Sequence, residues 1–120
     1  MSEDEDERID ESAAFPEWDT RLAASLLGKY VIAGFIHLAP DGTTVKERVQ
    51  VHGVITDAAP ATGFVLSLRG DRVGETMTLP PNLRAFAKAG PGRYRLTGTG
   101  EVVWDPDYTS LWTVTARMLH

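Results

Sequence analysis

The sequence predicts a mainly β fold: a small antiparallel barrel of five or six strands with a short N-terminal helix. Three observations carry that prediction. Residues 29–57 read as one long β-hairpin, two runs joined across the short link Pro40-Asp41-Gly42-Thr43. Downstream, glycine and proline cut the chain into short segments at residues 70–74, at Pro80-Pro81 and at Ala89-Gly90-Pro91-Gly92. A sheet of so few strands has exposed edges unless it curls closed.

The totals set bounds. At 120 residues, 42% hydrophobic and 24% charged, the chain suits one domain with one modest core. No apolar run is long enough to span a membrane. The opening MSEDEDERIDESAA has neither the basic nor the apolar region of a secretory signal, so a cytoplasmic location is expected. The absence of cysteine excludes disulfides and Cys-ligated zinc. The net charge of −5 is unevenly placed. Residues 1–14 hold seven acids and one base, whereas residues 15–120 hold ten acids and eleven bases, so the acidity is all in the head. Residues 1–14 cannot bury enough apolar surface to offset the entropy of ordering and read as a disordered acidic tail; 15–120 form the single domain.

Phe15-Pro16-Glu17-Trp18-Asp19 leads into a short helix, capped by Asp19 or Thr20 and ended by Gly28 in the left-handed conformation. Leu22, Leu26 and Trp18 share a face, with Ala23 and Leu27 beside them. The first strand, 29–39, is apolar on both parities, which predicts cover on both sides. Gly34 marks a place for a bend or bulge. The second, 44–57, alternates: Val45, Val49, Val51 and Ile55 point one way, Lys46, Arg48, Gln50 and His52 the other. Residues 63–69 and 75–79 read as strands three and four, and residues 82–88 as one helical turn with Leu83 and Phe86 inward. Residues 93–104 and 110–119 read as a closing hairpin. Tyr94, Leu96, Val102 and Trp104 share one parity there, with Gly98 and Gly100 on the inward side of the strand. These elements suit an SH3-like or OB-like barrel, with a β-sandwich as the alternative.

The blocks LLGKYVIAGFIHL (26–38), LPPNLRAF (79–86) and YRLTGTGEVVWDPDYTSLWTVT (94–115) resemble a family of small bacterial proteins that carry them in this order. That family has no assigned activity, so the resemblance implies no catalytic residues. A second resemblance, over about the first third of the ordered chain, is to Sm-like RNA-binding proteins. Their first strand follows a helix, reads Leu-x-Gly-Lys-x-Val and leads into a hairpin. Leu26-Leu27-Gly28-Lys29-Tyr30-Val31, Asp41-Gly42 and Gly53 are similar to it. That family's uridine-binding loop has no counterpart, since Asp57 is followed by Ala58-Ala59-Pro60, and Arg69-Gly70 precedes a turn. The resemblance therefore implies a barrel without the RNA site.

No catalytic constellation emerges, and no enzyme is expected. Nucleophilic catalysis needs an activated nucleophile beside a positioned base. His37 and His52, on facing strands, are the internal histidines, and an enzymatic reading would rest on them. Two histidines without a carboxylate motif make a poor metal site. Asp105 and Asp107 read as turn residues, because the later glycine and glutamate of a calcium loop are missing. Thr97-Gly98-Thr99-Gly100 lacks the lysine and helix of a phosphate loop. No cofactor, metal or membrane partner is expected. Two binding readings stand. In the first, Val31, Ala33 and Phe35, surplus apolar residues of strand one, form a partner-binding surface for a homo-oligomer or adaptor. In the second, Lys46, Arg48, Arg93 and Arg95 bind single-stranded nucleic acid weakly, flanked by Tyr30, Trp104 and Tyr108.

Overall fold

The computed structural model describes residues 7–9 and 18–116. In chain order these form β1 (Glu7–Ile9), α1 (Thr20–Leu26), β2 (Tyr30–Leu38), β3 (Val45–Ala59), β4 (Gly63–Leu68), β5 (Thr76–Leu79), β6 (Phe86–Lys88), β7 (Arg93–Arg95), β8 (Val102–Trp104) and β9 (Tyr108–Ala116). Single 3-10 turns lie at Gly70–Arg72 and Leu83–Ala85. Seven strands make one sheet in the order β1-β9-β2-β3-β4-β5, with β6 also on β9, and β7 and β8 make a separate two-stranded ribbon. No helix among the described residues is long and apolar enough to cross a membrane. The expected tail, 1–14, lies outside the described residues except for β1, which runs antiparallel to β9. The predicted run beyond residue 116 also lies outside them.

The β2–β3 hairpin organises the sheet. Asp41 shapes its turn, accepting the N–H of Thr43 at 2.8 Å and of Thr44 at 2.9 Å, and the Thr44 hydroxyl. The Thr44 hydroxyl and then the two N–H groups hold the Asp41 carboxyl down to a pKa of about 2. β3 outruns its first partner: its early residues pair with β2, and from Gly53 onward it pairs with β4. Gly53 is required at this handover, because an added Cβ would collide with the Ser67 carbonyl.

β2 is covered on both faces, as its apolar parities predict. On one face Val31, Ala33 and Phe35 join Val51, Leu66 and Trp112 in the main core. On the other, Ile32 packs with Leu96 and Val103 beneath the ribbon. Burying each large apolar side chain contributes about 1.5–3 kcal/mol. The helix lies on the main core and not on the second face. Asp19 caps it by accepting the Leu22 N–H at 3.0 Å, and Gly28 follows it with φ +80°. Its buried residues are Ala23 and Leu26, while Leu22 and Leu27 are exposed, so the expected Leu22 face is corrected. Two turns of helix bury one i, i+3 pair and no wider stripe. Trp18 stacks at 5.5 Å on Phe64 and fixes the helix entrance.

Three further expectations are corrected. The sheet does not close into a barrel: β5 pairs with β4 alone and ends at Pro80-Pro81, which offer no N–H to continue a ladder. Nor is it wholly antiparallel, because β9 runs parallel to β2 from Val31↔Tyr108 to Leu38↔Thr115. Asp107 explains the direction. Its N–H donates to the Tyr30 carbonyl at 2.8 Å and its carboxylate accepts the Tyr30 N–H at 2.9 Å, so both strands start side by side. Finally, residues 93–104 are not one strand. The chain reverses at Thr97–Gly100, with Gly98 and Gly100 at positive φ, so β7 pairs with β8. Gly34 introduces no bulge; the register of β2 shifts only at His37/Leu38.

Candidate functional site: an arginine–tryptophan ribbon and its buried clasp

Alternation along the ribbon divides its side chains. Tyr94 and Val103 are paired in register and face the sheet, packing with Ile32. The neighbouring positions must then face away. There Arg93 stands opposite Trp104, and Arg95 opposite Val102. Both arginines are exposed, and Trp104 is 63% exposed. The reversal between the strands flips the expected parity: Val102 and Trp104 lie outside, and Tyr94 and Leu96 inside.

The ribbon is held down at two places. At its tip, Gln50 of β3 donates its N–H to the Thr97 carbonyl at 3.0 Å, and the Gln50 side chain accepts the Thr97 N–H at 2.7 Å. At the start of β8, Glu101 reaches a buried polar cluster. Its carboxylate accepts the Asp71 N–H at 2.8 Å and lies 3.4 Å from His52 Nε2. Tyr30 Oη is 2.6 Å from His52 Nδ1, and the Arg69 guanidinium lies 5.5 Å from the centre of the Tyr30 ring.

The protonation pattern follows from the surroundings. Burial pushes the Tyr30 phenol up; Arg69 lowers it and Glu101 raises it, leaving it net raised. The phenol thus keeps its proton, and it is the hydrogen-bonding partner of His52 Nδ1. Burial also raises the Glu101 carboxyl, but the Asp71 N–H and His52 outweigh it and hold the group below its ordinary range. The Nε2–Glu101 separation is long for a hydrogen bond, and Nε2 is buried without one. Gly70, at φ +68°, makes room here; an added Cβ would meet Glu101 Oε2 and come within 2.5 Å of His52 Nε2. Carboxylate, imidazole and phenol stand in a row. Their polar atoms face one another, and the result is a clasp joining β2, β3, the Gly70–Arg72 turn and the ribbon.

The structure separates the residues proposed from sequence. Val31, Ala33 and Phe35, expected at a partner surface, are buried in the main core, covered by their own chain. Lys46, Arg48, Arg93 and Arg95 are all exposed. β3 and β7 share no ladder, but the Gln50–Thr97 bonds bring the tip of the ribbon to β3. Arg48 shares the parity of Gln50, on the ribbon side of the sheet, whereas Lys46 is skipped in the register at the bulge between Val45 and Glu47, where the alternation breaks. Tyr30 is committed to His52, and Tyr108 packs against the main core. Between Arg48, Gln50, Thr97 and Leu111 lies a groove of about 130 Å³ floored by Gly34. His37 pairs in register with Glu47 and His52 with Ile32, which keeps the two histidines apart. Among the described residues no group of three or more acidic or histidine side chains is placed to hold a metal ion.

Sequence reasoning missed Trp104 as an outward residue and Glu101 as the partner of His52. The alternation Arg93-Tyr94-Arg95 was a usable signal for the first. No local signal marks the second, whose partners lie far away in sequence. No protein-family model, curated protein or solved structure matches the chain.

Proposed function

We propose that this protein is a non-enzymatic binding module that engages a protein partner through the outer face of the β7–β8 ribbon. The observation that carries the reading is the register pairing of an exposed Trp104 with Arg93, beside Arg95 and Val102. Tryptophan and arginine are the residue types that dominate binding energy at protein interfaces. Trp104 exposes a large rigid apolar surface that nothing in the described chain covers. The clasp and the Gln50–Thr97 bonds preorganise the face, which lowers the ordering cost of binding.

The test is capture of partners on immobilised protein, followed by titration of each captured partner against variants. Trp104→Ala is expected to weaken the complex by about 2 kcal/mol or more. Leu22→Gln, at an exposed apolar position of α1 on the opposite face of the sheet, should bind as the wild type does. A partner held equally well by the Trp104 variant would overturn the proposal.

One observation favours a second reading. Arg48 lies on the same side of the sheet as the ribbon, so three cations and a stacking ring are available to single-stranded nucleic acid, with Lys46 exposed at the bulge beside them. Such binding falls steeply with salt, because phosphate contacts release counterions. A salt-insensitive partner interaction separates the first reading from the second.

A further inference from the structure

We propose that the cleft between the end of β6 and the β8–β9 link is a binding site for a small organic molecule bearing an oxyanion, a phosphate or a carboxylate. The site is distinct from the ribbon face and uses none of its four outward residues. It has a volume of about 380 Å³ and is walled by Lys29, Lys88, Pro91, Pro106, Tyr108 and the two link aspartates. That volume falls within the range of small-molecule sites, roughly 300–1,000 Å³.

The charges in the cleft are arranged so that the two lysines are available. Asp105 and Asp107 would be their natural partners. Each aspartate instead commits one oxygen to a backbone N–H: Asp105 Oδ1 takes that of Gly92 at 2.6 Å, and Asp107 Oδ2 takes that of Tyr30 at 2.9 Å. Among the described residues neither Lys29 nor Lys88 forms an ion pair. Two lysines therefore line the cleft with no ion pair among the described residues, and an oxyanion is the ligand group that their ammonium groups would take. The prolines and the Tyr108 ring offer an apolar wall for the body that carries the anion.

The cleft is also built in advance. The Ala89 N–H donates to the Asp107 carbonyl at 3.0 Å, the Asp105 N–H to the Gly92 carbonyl at 2.8 Å, and the Asp107 N–H to the Tyr30 carbonyl at 2.8 Å. These bonds tie β2, β6, β7 and the β8–β9 link around one space. Asp105 is held at φ +50°, a left-handed conformation that carries strain in a residue other than glycine. A rigid wall lets a weak anion contact count, because little is lost to ordering.

The experiment uses the full chain and three probes: phenyl phosphate, benzoate and neutral phenol, each titrated to millimolar concentration while backbone amide shifts are recorded. One or both anions should move the amides of Lys88, Ala89, Asp107 and Tyr108, and phenol should not. The phosphate and carboxylate arms identify which oxyanion is preferred. The variant Lys29→Gln/Lys88→Gln, its fold checked in the same spectra, should weaken anion binding about tenfold or more. The proposal is overturned if neither anion moves these amides. It is also overturned if phenol moves them equally, or if the double variant binds as tightly as the wild type.

Discussion

His52 shows how a residue can be singled out from sequence for the wrong reason. Its residue type marks it as a candidate base or ligand, but the structure places it 6% exposed between a phenol and a carboxylate. Its neighbours decide its role. Tyr30 comes from β2, and Glu101 lies far along the chain, so no local pattern joins them. Tyr30→Phe tests the clasp. The ring keeps its packing, but His52 Nδ1 loses its hydrogen-bond partner and is left buried and unsatisfied, at a cost of about 1–3 kcal/mol. Chemical denaturation should show that loss as a lower midpoint with an unchanged slope. An unchanged midpoint would mean that the 2.6 Å contact adds no net stability.

At the scale of elements, local chemistry was legible and long-range pairing was not. The helix cap at Asp19, the Asp41 turn and the alternation of β3 follow from residues a few positions apart. The parallel partnership of β2 with β9 depends on Asp107 meeting Tyr30, and the ribbon depends on a reversal at Gly98 and Gly100 that also reads as glycine within a strand. The ribbon carries its own prediction. The Glu101 carboxyl lies below its ordinary range in the folded chain. Its contribution is therefore complete at neutral pH, above the unfolded value, and is lost as pH falls through the folded one. Acid should loosen the ribbon before the main sheet. Hydrogen exchange followed from pH 7 down to the lowest pH at which the main sheet stays folded, corrected for intrinsic rates, should show protection falling at Tyr94 and Leu96 while the paired amides of β2 and β3 keep theirs. Equal loss in both places, or none in the ribbon, would count against an ionised clasp.

For the whole molecule, the issue is whether the protein's partner is a second copy of itself. Homo-oligomerisation is the expectation that strand one suggests, but that strand is buried on both faces. The remaining surfaces argue for a monomer. An isologous contact through the ribbon would bring Arg93 and Arg95 towards their own copies, and like charges at a desolvated contact are costly. The sheet edges are short or charged as well: the β3 residues before Gly53, which lack β4 as a partner, carry Lys46, Glu47 and Arg48 and meet the ribbon tip at Gln50. β5 has four residues and ends at two prolines, while the outer edge of β9 is taken by three-residue β1 and β6. Short, proline-stopped edges are a common defence against strand addition between copies. A stable dimer needs roughly 1,200–2,000 Å² of buried surface. The exposed Leu111 beside its groove of about 130 Å³ is a small anchor against that requirement. Native mass spectrometry and light scattering should therefore give the mass of one chain at both low and high salt. A dimer or ring persisting at micromolar concentration would replace the adaptor reading with self-assembly. Loss of that assembly on Trp104→Ala would then place the ribbon in the subunit contact.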